Sequence, residues 1–101
     1  MNLWQLLGTL MAIVAIESNG GNALGADIPR YDVQKFCRAA VDQGLVASRA
    51  SCLRNEANAL ATLRRRWSRI AQEKQAACIR DVQIAMIGAS YDNLLSCVNR
   101  K

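Results

Sequence analysis

The sequence predicts an all-α protein: a long central helix with two shorter helices folded back on its ends, making two disulfide-stapled helical hairpins. Three observations carry this. Between Asp27 and Lys101 the chain has one proline, Pro29, and two glycines, Gly44 and Gly88, amid Ala, Leu, Arg and Gln, which are helix formers with almost no internal breakers. Apolar residues recur at helical spacing through most of that span. The four cysteines bracket the two glycines almost symmetrically: Cys37 and Cys52 lie seven and eight residues from Gly44, and Cys78 and Cys97 lie ten and nine from Gly88.

The first helix is expected over about 31–43. Pro29 suits a first helical turn, and Val33, Phe36, Cys37, Ala40 and Val41 recur at i, i+3, i+4, i+7 and i+8. Gly44 then offers a left-handed stop. The central helix is expected to begin between Val46 and Ser51, capped by Ser48 or Ser51, and to run on toward Gly88, since no breaker interrupts it. On it Cys52, Leu53, Ala59, Leu60, Leu63, Trp67, Ile70, Ala71, Ala77 and Cys78 share a stripe of about 120°. Arg64, Arg65, Arg66 and Arg69 are the candidate anion-binding residues, most of them opposite that stripe. A short last helix, about 90–100, is capped by Ser90 and buries Tyr91, Leu94, Leu95, Cys97 and Val98. The hairpins, about 31–58 and 75–101, read as a degenerate repeat.

Four cysteines allow three pairings, and sequence alone does not decide among them. Hairpin geometry ranks Cys37–Cys52 and Cys78–Cys97 first, because residues equidistant from a turn approach the ~5.5 Å Cα separation that a disulfide needs. The rival, Cys52–Cys78 with Cys37–Cys97, needs a reversal near Arg65, where neither Gly nor Pro occurs.

Residues 3–16 are an apolar run followed by Ala23-Leu24-Gly25-Ala26. This is the pattern of a secretory signal, too short for the ~20 residues of a spanning helix. Cleavage is expected after Gly25 or Ala26, so residues 1–26 are read as a signal peptide and 27–101 as one helical domain, periplasmic or secreted. The remaining 75 residues carry thirteen Lys and Arg against seven Asp and Glu. A domain of that size has a thin core and gains from covalent staples, and its positive balance suits anionic partners such as envelope or membrane surfaces.

The chain has no histidine, which removes the usual general base and the commonest metal ligand. The cysteines lack the Cys-x-x-Cys spacing of zinc and redox sites. No catalytic residue, metal or cofactor is therefore expected, and export argues against a nucleic-acid partner. On a continuous helix of about 63 Å, the flanking helices cover the two ends and leave about 27 Å bare in the middle. Leu60, Leu63, Trp67 and Ile70 there form a candidate interface for a protein partner or a second copy of the chain; the alternative is that residues 27–31 and the C-terminus fold over them. Glu56 and Lys74, each nine residues from Arg65, are placed to pair across an antiparallel homodimer, or to extend their stems to water.

Cys37 with Val41 and Gly44, Cys52 followed by Glu56, then Trp67, Cys78, Ser90-Tyr91 and Cys97 together resemble a group of small exported bacterial proteins with cysteine-bracketed helical repeats. That resemblance implies export and a stapled helical frame, and no activity. The spacing of Cys52, Leu63, Trp67 and Cys78 is similar to the lysozyme-inhibitor family of periplasmic helical domains, which implies inhibition of a secreted hydrolase. The function expected is a non-catalytic exported module that binds protein or self-associates, with a cationic surface binder and a lysozyme-type inhibitor as alternatives.

Overall fold

The computed structural model describes residues 25–100. The leader read over 1–26 thus lies outside the described residues except for Gly25 and Ala26. Four α-helices follow in order: α1 (Val33–Asp42), α2 (Arg49–Arg66) continued by a 3-10 turn (Trp67–Arg69), α3 (Gln72–Gln83) and α4 (Tyr91–Asn99). None of them is long and apolar enough to cross a membrane. The all-α class holds, and so does the plan of two stapled hairpins on a long central helix.

Three of the four helices, α1, α2 and α4, begin where a side-chain oxygen takes an orphan amide, and α3, preceded by Ala71, has no such cap. Asp32 accepts from Lys35 N, Ser48 from Ser51 N and Ser90 from Asn93 N. Ser48, not Ser51, caps α2, while Pro29 lies ahead of α1 rather than in its first turn. At the end of α1, Gly44 adopts φ +71°, and the Leu45 amide donates to the Ala40 carbonyl at 2.8 Å. This is the left-handed closure anticipated there. Gly88, at φ +102°, turns the second hairpin.

The disulfides join Cys37 to Cys52 and Cys78 to Cys97, with Cα separations of 5.7 and 5.6 Å. All four cysteines are buried, so the staples are part of the core. The larger cluster gathers Ala59, Leu63, Cys78, Val82, Tyr91, Leu94, Cys97 and Val98, and a smaller one holds Cys37, Ala40 and Cys52 with Phe36, Val46, Leu53 and Ile87 around them.

The central helix ends sooner than the periodicity predicts. Rather than running to about residue 87, the helical chain breaks at Ile70 (φ −93°, ψ 132°) and Ala71 (φ −56°, ψ 141°) before α3 begins. Both residues take ordinary extended conformations open to any L-residue, so neither Gly nor Pro is required. Gln75 meets the polar demand of the break: its Nε2 donates to the Trp67 carbonyl at 2.9 Å and the Ile70 carbonyl at 3.2 Å. With the chain redirected, α4 packs against both α2 and α3.

Candidate functional site

Leu63 is fully buried in the larger core, and Leu60, Trp67 and Ile70 are half-buried against it. The four residues read as a bare stripe are covered from within the chain by α4 and by a strap over residues 25–31. The Trp67 indole Nε1 donates to the Ala26 carbonyl at 2.6 Å, which places the strap across the break. The bare middle depended on an unbroken helix, and the break removes it.

Tyrosines fasten the strap at its other end. The Tyr91 hydroxyl receives the Tyr31 amide at 2.9 Å and donates to the Pro29 carbonyl at 2.9 Å, while the two phenol rings lie 4.8 Å apart. The Tyr31 hydroxyl is itself buried, without a hydrogen-bond partner among the described residues. Burial, with Tyr91 beside it, pushes its ionisation up to about 12.

Glu56 is a structural acid rather than a cross-chain partner for Lys74. It is 2% exposed, and its carboxylate accepts from Tyr91 N at 2.7 Å and Asp92 N at 3.2 Å. A residue of α2 therefore caps the first turn of α4, where orphan amides and the helix dipole favour negative charge. Burial raises its ionisation above the usual carboxylate range, while the two amides and the Ser90 hydroxyl pull the other way. Lys74 reaches the Arg100 carbonyl at the end of α4. Both groups postulated to bridge two chains thus have partners within one.

Arg64, Arg65, Arg66 and Arg69 are exposed, and three of them donate to neutral oxygens: Arg65 to Thr62 Oγ1, Arg66 to Asn99 Oδ1 and Arg69 to the Arg65 carbonyl. Their charge faces solvent. Among the described residues no group of His, Cys, Asp and Glu could hold a metal ion.

One surface was not singled out from the sequence. Where the turn after α1 meets the loop between α3 and α4, a cleft of ≈ 230 Å³ opens, walled by Phe36, Ala40, Val46 and Ile87 with Asn55, Asp92 and Asn93 on its polar side. Leu45, which also lines the cleft, is 61% exposed, and in the loop that supplies Ile87 two more large apolar side chains stand in solvent, Ile84 at 82% and Met86 at 99%. The signal for Ile84 and Met86 in the sequence is the run Ile84-Ala85-Met86-Ile87, which an uninterrupted helix would have absorbed; Leu45, directly after Gly44, carries no such signal. No protein-family model, curated protein or solved structure matches the chain.

Proposed function

We propose that the protein is an exported, non-catalytic module that docks another protein through the end of the molecule carrying Leu45, Ile84 and Met86. The observation that carries this reading is the exposure of those three side chains beside an apolar-walled cleft. Large apolar side chains left in solvent beside an apolar cleft mark an interface, and the cleft can take one or two apolar side chains of a partner. Export is supported by the four buried cysteines, since a fold whose two cores are built on disulfides needs an oxidising compartment. Sedimentation and crosslinking test the docking. A photoreactive residue at position 86 of the exported protein is expected to give an adduct of discrete mass that Ile84→Asp abolishes and that the same residue at exposed position 54 does not give. Equal labelling from both positions would end the proposal. An adduct of twice the chain's mass makes the partner a second copy.

A second reading has its own observation, the exposed Arg64, Arg65, Arg66 and Arg69, the last three bonded to neutral acceptors. It is attraction to an anionic envelope or membrane surface, and it requires binding to anionic vesicles that weakens steeply with salt, since such attraction is screened over about 8 Å at physiological ionic strength. The lysozyme-inhibitor reading ranks behind both, because Cys52, Leu63 and Cys78, three of the four residues behind that resemblance, are spent in the core.

A further inference from the structure

Gln75 is 2% exposed and lies in the first turn of α3, just after the break at Ile70 and Ala71. Because its Nε2 is held by the Trp67 and Ile70 carbonyls, the orientation of the amide is set and Oε1 must look the other way. That oxygen is buried and has no donor among the described residues. What it faces is the backbone of Gly25: a Cβ built there would lie 2.4 Å from Oε1, and Gly25 holds φ +123°. The next residue is pinned in place by the 2.6 Å bond from Trp67 Nε1 to the Ala26 carbonyl.

We propose that Gln75 Oε1 is the receptor for the chain's own new N-terminus, created by signal cleavage between Gly25 and Ala26. This rests on the export reading. Hydrolysis of that peptide bond by a signal peptidase consumes one water, leaves the new carboxylate on Gly25 of the departing leader and leaves an α-ammonium on Ala26. Removal of Gly25 clears the space over Oε1, and the ammonium brings charged N–H donors to an oxygen that has none, a stronger class of hydrogen bond than a neutral pair. Cleavage one residue later is disfavoured by the same geometry. The Ala26 carbonyl would depart with the leader and Trp67 Nε1 would lose its acceptor. Of the two cleavage positions compatible with the sequence, the structure therefore selects the first, where Ala23 and Gly25 also supply the small residues that a signal peptidase accepts.

The test uses the full chain, leader included, expressed in a bacterium with an oxidising periplasm. Intact mass and N-terminal sequencing of the disulfide-bonded product are expected to show Ala26 as the first residue. Hydrogen bonding to the charged form raises the amine's pKa, so acylation of the α-amine at pH 7 is expected to be roughly tenfold slower in the folded protein than in the reduced, unfolded one, the factor for one unit. Gln75→Leu should abolish that protection. Because this variant also strips donors from two carbonyls, the folded-to-unfolded ratio of the unaltered protein is the primary reading. A product beginning at Asp27, an Ala26 amine that reacts equally fast in both states, or an oxidised chain still carrying its leader would each overturn the proposal while leaving export intact. An uncleaved chain with free thiols would overturn both.

Discussion

Replacing Glu56 tests the most consequential contact between the two hairpins. The carboxylate is 2% exposed and satisfies the amides of Tyr91 and Asp92 at 2.7 and 3.2 Å. In Glu56→Ala both amides lose their acceptor and a small cavity opens; with about 1–3 kcal/mol for each buried group left unpaired, offset by relief of the carboxylate's own desolvation, a loss of about 3 kcal/mol is expected. For a domain of this size that is roughly 12–24 °C in Tm. Glu56→Gln keeps the shape but turns an NH2 toward one amide, so it should cost about 1–2 kcal/mol.

The pH dependence separates the charge from the packing. Because the folded carboxyl is raised above its unfolded value, the folded state holds more protons between the two values. Stability must then fall as pH climbs from the unfolded carboxyl range, near 4.3, through the folded value, and level off above it. Glu56→Gln lacks that contribution, so its deficit should be largest at the acidic end and narrow toward neutral pH. The assay is guanidinium unfolding with disulfides intact, at steps from pH 4 to 8. A Glu56→Ala loss under about 0.5 kcal/mol, within the range of ordinary surface changes, would refute the reasoning, as would a Glu56→Gln deficit that grows with pH.

Three further outcomes follow from the same contacts. Cys37→Ser with Cys52→Ser should cost about 3 kcal/mol in the chain-entropy account and, because the smaller core cluster is built on that pair, should release α1 while the Leu63–Leu94 core stays protected; hydrogen exchange reads this, and uniform loss of protection would contradict it. Tyr91→Phe orphans the Tyr31 amide and the Pro29 carbonyl, so it should cost about 1–3 kcal/mol and expose the strap to proteolysis before the helices. Gly44→Ala places a Cβ in open space at φ +71°, so its cost should be the backbone cost alone, about 1 kcal/mol by thermal unfolding, with no change in disulfide pairing.

Much of the frame was legible because it is local. Ser48, Gly44 and Ser90 act at the boundaries they announce, and the positions of Cys37, Cys52, Cys78 and Cys97 around two glycines rank the pairing that forms. Part of the arginine face is also legible, since the helical period turns Arg65 and Arg69 away from Leu63, whereas Arg66, one turn on from Leu63, reaches Asn99 of α4. The break at Ile70 and Ala71 is not local: those residues favour no turn, and the break is held by Gln75 and by the packing of α4 against both neighbours. Missing it made Leu60, Leu63, Trp67 and Ile70 look bare. Glu56 misleads for a related reason, since its partners lie 35 and 36 residues away and no spacing rule reaches that far.

By itself, then, the sequence determined the helical class, the Ser90 cap, the glycine turns and the solvent side of Arg65 and Arg69, because propensity, capping and helical period act within a few residues. Only the tertiary structure decided where the central helix stops, that Glu56 holds the start of α4, that the strap lies over Trp67, and that Leu45, Ile84 and Met86 are left facing solvent. Those outcomes depend on which distant groups satisfy one another's hydrogen bonds and which surfaces remain once the core has closed.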